Sequence, residues 1–131
     1  MQKFKKSERL CSLKSIDRIF SSGHSLQHYP LRLVWKENTY EAPFPVQMAI
    51  SVPRKKFKNA VDRNRIKRLI RESYRINKHI LYENLEKENR KIQMMLIYIS
   101  KEKYDFNTIN SRLQQLIKKF IADDEPGKDI F

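Results

Sequence analysis

Residues 46–78 read VQMAISVPRKKFKNAVDRNRIKRLIRESYRINK, and this stretch decides most of the fold. Over residues 46–52 the large apolar residues occupy every other position, which predicts a half-buried strand. Pro53 ends that strand because it has no N–H to donate to a neighbouring strand. A long helix is predicted from residue 59 to about residue 78, since Asn59 suits the N-cap and the charge of Asp62 suits the first turn. The stretch therefore predicts a strand, a basic loop and a basic helix.

Two further strands are predicted outside this stretch. Leu31, Leu33 and Trp35 recur at every other position, which is typical of a half-buried strand, and a turn-rich segment follows it. We expect this strand to pair with strand 46–52 as a hairpin. Residues 92–99 are apolar on both faces apart from Gln93, which predicts a central strand covered on both sides.

Apolar residues at helical spacing predict a helix at each end of the chain. The N-terminal set is Leu10, Leu13, Ile16 and Phe20, and the C-terminal set is Phe106, Ile109, Leu113, Leu116, Ile117 and Phe120. Residues 1–122 are predicted to form one domain, and residues 123–131 a flexible tail. The fold class is α+β: a single-domain sandwich with a small mixed sheet and packed helices, in the order α-β-β-α-β-α.

Composition indicates a folded domain with a polyanionic partner. The 131 residues include 40% apolar residues and one cysteine, so a core is possible and an intramolecular disulfide is not. Lys and Arg number 28 against 15 Asp and Glu, a net charge of +13. The apolar runs are too short for an export signal or a membrane span, so we expect a cytoplasmic protein with no membrane partner.

Most of this charge lies in the loop and helix that follow strand 46–52. Eleven basic residues stand there against Asp62 and Glu72: Arg54, Lys55, Lys56, Lys58, Arg63, Arg65, Lys67, Arg68, Arg71, Arg75 and Lys78. At about 100° per residue, one arc of the helix is cationic and the opposite arc is apolar. The cationic arc contains Asn64, Lys67, Arg68, Arg71, Arg75 and Lys78, and the other contains Ile66, Leu69, Ile70 and Ser73.

A solvated helix face usually mixes Glu with Lys at four-residue spacing, and that pattern is missing here. Cations of one sign repel each other, so their clustering favours a nucleic-acid partner over simple solvation. RNA is preferred because no helix-turn-helix or zinc-finger pattern is present, and no DNA partner is expected. Membrane-surface binding is disfavoured because the narrow apolar face is needed for the core.

The sequence gives less support for a metal site, a catalytic site or a reactive cysteine. His24, His28 and His79 fall on separate segments with no carboxylate at ligand spacing, and Cys11 has no accompanying motif. The acidic residues 123–125 stand in the predicted tail, so no catalytic residue and no metal site is predicted in the protein. Core or rim positions are favoured for Tyr29, Tyr74 and Tyr98.

Residues 59–72, NAVDRNRIKRLIRE, resemble the N-A-V-x-R-N-R-x-K-R-x-x-R-E block of the protein component of bacterial ribonuclease P. The preceding ISVPRKK, residues 50–56, stands where that family has its strand and lysine-rich turn. Arg9-Leu10, Ile19-Phe20 and Gly23 also recur at the family's spacing, so the resemblance covers most of residues 4–120.

The resemblance implies the accessory protein subunit of an endonuclease that removes the 5′ leader of precursor tRNA. The catalytic RNA subunit would supply the active site and bind most of the Mg²⁺, so the partners are that RNA and precursor tRNA. General rules make a β-α-β crossover right-handed, but the family has a left-handed crossover through its basic helix, and we expect the same here. A structural RNA-binding module, such as a ribosome-associated protein, is the alternative.

When the roles of the family's motif residues are transferred by position, the residues expected to contact the RNA subunit are Arg63, Asn64, Arg65, Lys67, Arg68 and Arg71. Lys55 and Lys56 would line the approach to the substrate, and Arg54, Lys58 and Arg75 complete the predicted RNA-binding set. The leader cleft, between the N-terminal helix and the face of the sheet, would contain Arg9, Ile16, Phe20, Val34 and Trp35. The family often has Phe at the position of Ile16, has an aromatic at that of Val34, and has a loop one residue shorter at Phe57-Lys58. Stacking and core packing are both open for Phe20.

Overall fold

A four-stranded mixed sheet forms the centre of the computed structural model, which describes residues 23–38 and 43–123. Its strands are β1 (His24–His28), β2 (Leu31–Glu37), β3 (Val46–Ser51) and β4 (Ile92–Tyr98), in the spatial order β1-β2-β4-β3. β2 runs antiparallel to both β1 and β4, whereas β3 runs parallel to β4.

Two helices complete the described fold: α1 (Ala60–Lys87) and α2 (Phe106–Asp123). The order β-β-β-α-β-α confirms the α+β class and the mixed sheet. The predicted N-terminal helix lies outside the described residues. Of the predicted tail, residues 123–131, Asp123 is instead the last residue of α2, and residues 124–131 lie outside the described residues. The handedness of the β3-α1-β4 crossover stays a prediction.

The predicted hairpin of β2 with β3 is wrong, because β4 lies between these strands. Leu33 stands opposite Leu96 on one side of β4, and Met48 stands beside Met94 on the other. β4 is buried along nearly its whole length. The central position buries both faces of the most apolar strand, and this outweighs the closeness of β2 and β3 in the chain.

β1 was not predicted, since its sequence HSLQH has a single large apolar residue. It is an edge strand that a tight turn at Tyr29 and Pro30, with a cis peptide bond, returns onto β2. Edge strands often carry polar residues, which discourage pairing with another chain, and three of the five residues of β1 are exposed.

α1 is nine residues longer than predicted, because Leu81 and Leu85 continue its buried side and pack in the core. The chain leaves the helix through Asn89, whose φ of 53° is one that asparagine tolerates better than most residues. The amide of Arg90 then donates to the carbonyl of Leu85 at 2.8 Å.

The main core lies between one face of the sheet and the two helices. Its fully buried residues include Leu31, Leu33, Met48, Ile66, Ile70, Leu96, Leu113 and Phe120. A smaller apolar cluster of Val34, Ala49 and Ile97 lies on the other face of the sheet. Each face of β2 therefore packs a different set of residues.

Candidate nucleic-acid interface

The basic loop, residues 54–58, is held by backbone contacts and by one buried aromatic side chain. The amides of Lys56 and Phe57 donate to the carbonyl of Pro53 at 3.0 and 3.4 Å. The Phe57 ring is buried, with its centroid 5.9 Å from that of Tyr98. This anchoring leaves the side chains of Arg54, Lys55 and Lys58 exposed and that of Lys56 half-buried.

The N-terminus of α1 begins directly after this loop. Asn59 is the N-cap as predicted, and its Oδ1 accepts a hydrogen bond from the amide of Val61 at 2.9 Å. Asp62 in the first turn forms a 3.0 Å ion pair with Lys103. The first turn is therefore joined to the segment that precedes α2.

The outer side of α1 presents cations that have no acidic partner in the part of the chain that the structure describes. We call Arg65, Lys67, Arg68 and Arg71 the cationic face; none of them forms an ion pair or a hydrogen bond with a side chain in the described ranges. Asn64 is exposed beside them. No salt bridge among the described residues has to break before this side of α1 meets an extended anion.

Arg63 differs from the cationic face. It is half-buried, and its Nη1 donates to the carbonyls of Phe57 at 2.8 Å and of Lys58 at 2.9 Å. Its guanidinium is directed toward the basic loop. The sequence could not show this, because Arg63 and Arg65 stand in the same motif.

Two other basic residues of α1 also have partners within the protein. Arg75 donates to both carboxylate oxygens of Glu72, at 2.9 and 2.6 Å, and this hydrogen bonding lowers the pKa of the Glu72 carboxyl. Lys78 was predicted on the cationic arc, but it is only 6% exposed, and its Nζ lies 5.4 Å from the centroid of the Tyr82 ring. Lys78 stands four residues after the buried Tyr74 and three before the buried Leu81, so it shares their side of α1.

Val34 and Trp35 lie on opposite faces of the sheet. Val34 packs with Ala49 and Ile97, whereas Trp35 packs against the main core, with its ring centroid 5.0 Å from that of Phe120. The two residues therefore cannot line one cleft on one face of the sheet, and Trp35 does not replace an aromatic at position 34. The alternation of side chains along β2 could have shown from the sequence that these two residues point to opposite faces. Arg9, Ile16 and Phe20, the other predicted cleft residues, lie outside the described residues.

The face that contains Val34 has polar groups that were not singled out from the sequence. Arg32 precedes Val34 by two residues, is exposed, and donates from Nε to the Ser25 hydroxyl at 3.0 Å. The Gln93 amide donates to that of Gln47 at 3.2 Å. The sequence could have placed Arg32 on this face, because residues two apart in a strand point to the same side of the sheet.

The predicted tyrosines divide between rim and core. Tyr29 is half-exposed, and Tyr74 and Tyr98 are buried. The Tyr98 hydroxyl donates to the carbonyl of Glu102 at 2.6 Å, and burial raises its pKa.

Within the described residues there is no cluster of metal-ligating side chains and no helix suited to crossing a membrane. Across residues 23–38 and 43–123, no three His, Cys, Asp or Glu side chains come together as a metal site would require. Neither α1 nor α2 combines the length and apolar character that crossing a bilayer requires.

Comparisons with known proteins agree with this arrangement. The Ribonuclease P family model matches residues 4–121. The ribonuclease P protein component of Porphyromonas gingivalis is 37% identical over 110 residues, covering 84% of this chain and 80% of that protein. The one from Chlorobaculum tepidum is 31% identical over 121 residues, covering 86% of this chain and 79% of that protein.

Two solved structures share the fold. The ribonuclease P protein from Thermotoga maritima superposes with a TM-score of 0.69 at 28% identity, covering 86% of this chain and 96% of that one. The Staphylococcus aureus protein superposes with a TM-score of 0.68 at 24% identity, covering 88% and 96%. From the family match, the identities and the shared fold together, we conclude that this chain belongs to the family of bacterial ribonuclease P protein components.

Proposed function

We propose that this chain binds the catalytic RNA of ribonuclease P and the 5′ leader of precursor tRNA, and so promotes 5′-end maturation of tRNA. A ribonuclease P protein component is a subunit of an endoribonuclease. In this proposal the catalytic centre lies in the RNA subunit, and the holoenzyme works in the cytoplasm.

The observation that carries the proposal is the cationic face together with the basic loop. Four cations on one side of α1 have no acidic partner among the described residues, although their mutual repulsion destabilises the isolated protein. Phosphate groups of RNA would remove this repulsion and release condensed counterions. Arg can also hold phosphate oxygens in a bidentate way, which suits a fixed orientation on folded RNA. We assign the RNA-subunit contacts to Arg65, Lys67, Arg68 and Arg71 with Asn64. The lysines of the basic loop, which also line the approach to the substrate, add contacts to the same RNA subunit.

The leader is assigned to the face of the sheet that contains Val34. Ala49 and Ile97 extend Val34 into an apolar strip, which suits the flat faces of unpaired bases, and Arg32 at its margin suits a phosphate. By resemblance, Arg9, Ile16 and Phe20 complete this cleft. Trp35 is left out of it, because it packs in the main core.

Mg²⁺ is assigned mainly to the RNA subunit. The described acidic groups do not fit a magnesium site, because several are engaged elsewhere. Glu72 binds Arg75, Asp62 binds Lys103, and Asp105 accepts a hydrogen bond from the amide of Thr108 at the start of α2. We derive no catalytic step through a metal on this chain.

Multiple-turnover cleavage of a precursor tRNA by the cognate RNA subunit at low Mg²⁺, with and without the protein, tests the proposal. We expect the protein to restore turnover and to be inert without RNA. The test variant is Arg65→Ala/Arg68→Ala. Its matched control is Lys118→Ala/Lys119→Ala, which removes the same charge from exposed positions on α2. Only the first pair should impair rescue.

Two results would contradict the proposal. Cleavage by the protein alone would place the chemistry on this chain. Binding of RNA with no effect on turnover would favour a structural RNA-binding module.

A further inference from the structure

Arg63 stands inside the family motif but differs in its contacts from the arginines around it. One nitrogen, Nη1, donates to two consecutive carbonyls, those of Phe57 at 2.8 Å and Lys58 at 2.9 Å. Arg65, two residues further on, is exposed and has no such contact within the described ranges. Arg63 and Arg65 have the same side chain and the same charge, so they differ only in the groups that their guanidinium nitrogens contact.

The two carbonyls belong to the last part of the basic loop, just before the N-cap Asn59. Carbonyls at this point precede the helix and accept no bond from its regular ladder, so a partner must come from elsewhere. A guanidinium is a charged donor, and its hydrogen bonds are stronger than those of neutral groups. Arg63 therefore ties the loop to the first turns of α1, while Phe57 anchors the same segment to the core through Tyr98.

We propose that Arg63 is a positioning residue, which orients the basic loop for RNA and does not act as an independent phosphate contact. This inference rests on the proposed function, since it concerns how the loop lysines reach RNA. A loop held in its bound conformation loses less entropy on binding than a loop that must be ordered at that moment. Arg63 would raise affinity through Lys55, Lys56 and Lys58.

A thermodynamic cycle distinguishes this role from direct contact, because residues that act through each other are not additive. The variant is Arg63→Met, which keeps the apolar stem of the side chain and removes the guanidinium. It is measured alone and together with Lys55→Ala/Lys56→Ala/Lys58→Ala, by affinity for the RNA subunit at fixed salt. Arg65→Ala in both backgrounds is the matched control.

We expect Arg63→Met to weaken binding by about tenfold in the otherwise unchanged protein and by less than about twofold when the loop lysines are absent. Arg65→Ala should weaken binding by the same factor in both backgrounds. An equal loss for Arg63→Met in both backgrounds would overturn the proposal and make Arg63 a phosphate contact.

Amide hydrogen exchange of the free protein tests the same role without RNA. Arg63→Met should raise exchange at the amides of the loop and of Asn59, while Arg65→Ala should not, and amides of the α1 core should stay protected in both. Protected core amides also show that the variant is folded, and Arg63→Gln, which keeps part of the stem and removes the guanidinium, serves as a second variant if they are not. If Arg63→Met leaves the exchange rates of the loop amides unchanged, the positioning role is contradicted even when RNA binding is confirmed. If those amides exchange faster but the protein binds no RNA, only the proposed function is contradicted.

Discussion

At the scale of single residues, Arg71 and Arg75 show why charge alone does not rank the contacts. They lie four residues apart on α1, and both belong to the predicted RNA-binding set. Arg71 is exposed with no acidic partner in the described ranges, whereas Arg75 forms a bidentate pair with Glu72. Arg75 must share or release a carboxylate before it can bind phosphate. We therefore expect the two residues to differ in their contribution to RNA affinity.

Replacing Arg65 or Arg68 with Ala should weaken binding of the RNA subunit and flatten its salt dependence, since each lost phosphate contact lowers the log–log slope by up to about one. Arg75→Ala should change the slope less. Affinities measured over a series of KCl concentrations check this, with Lys118→Ala/Lys119→Ala as the control for net charge. An unchanged slope in both Arg65→Ala and Arg68→Ala would contradict the assignment of the cationic face.

The Glu72–Arg75 pair also predicts a pH effect. The hydrogen bond from Arg75 lowers the pKa of Glu72 below its usual 4.5. Because the folded pKa is lowered, the pair stabilises the folded state above pH 4.5, and this contribution is lost as the pH falls through the lower folded value.

A carboxyl ¹³C titration should therefore give a midpoint for Glu72 below 4.5, and in Arg75→Ala the midpoint should return toward 4.5. The same midpoint in both proteins would mean that the pair does not form in solution.

At the scale of elements, a buried polar network joins the two helices. Asn110 on α2 accepts hydrogen bonds through Oδ1 from the Ser73 hydroxyl and from Nδ2 of Asn77, both at 2.7 Å. Gln114 donates to Oδ1 of Asn77 at 3.1 Å. Ser73 and Asn77 are buried in the otherwise apolar side of α1. A buried polar group needs its partner, so this network favours one alignment of α2 against α1.

Asn110→Ala should lower the free energy of unfolding by about 2 kcal/mol, because the buried Ser73 hydroxyl loses its acceptor and Nδ2 of Asn77 keeps only the carbonyl of Ser73. Urea denaturation of the free protein measures this change. Gln115→Ala, at an exposed position on the same helix, should change it by less than about 0.5 kcal/mol. Equal stability of Asn110→Ala and the unchanged protein would show that water replaces the lost partner.

At the scale of the whole molecule, the sheet separates two candidate surfaces. α1 packs on one face with the main core, and the strip of Val34, Ala49 and Ile97 lies on the other. The cationic face is on the helix side, and Arg32 is on the side of the strip. Binding of the RNA subunit and binding of the leader should therefore be separable by mutation.

Arg32→Ala should raise the Michaelis constant for substrate with a long leader and leave the affinity for the RNA subunit unchanged. The expected effect is a few-fold, since one exposed phosphate contact is removed. Comparing substrates with long and very short leaders isolates the leader contribution, and Arg65→Ala/Arg68→Ala should show the opposite pattern. An equal effect of Arg32→Ala on both substrates would place Arg32 outside the leader path.

Much of the fold and part of the site follow from local patterns. Two-residue alternation predicted β2 and β3, and helical spacing of apolar residues predicted α2. The N-cap at Asn59 and the position of the cationic run were also predicted. Apolar residues beyond Lys78 would have extended α1 to its observed end, and alternation alone would have separated Val34 from Trp35.

The sequence by itself determined the strand and helix periods, the family motif and the concentration of charge in one segment. These are local properties, because backbone geometry sets which neighbours in the chain share a face. Only the tertiary structure decided that β4 lies between β2 and β3, that β1 joins the edge, that Arg63 contacts the basic loop and that Lys78 is buried. The position of β4 depends on contacts between residues far apart in the chain, whose energies no local pattern records. The contact of Arg63 with the carbonyl of Phe57 is closer in the chain, but it depends on the loop that Phe57 anchors against Tyr98.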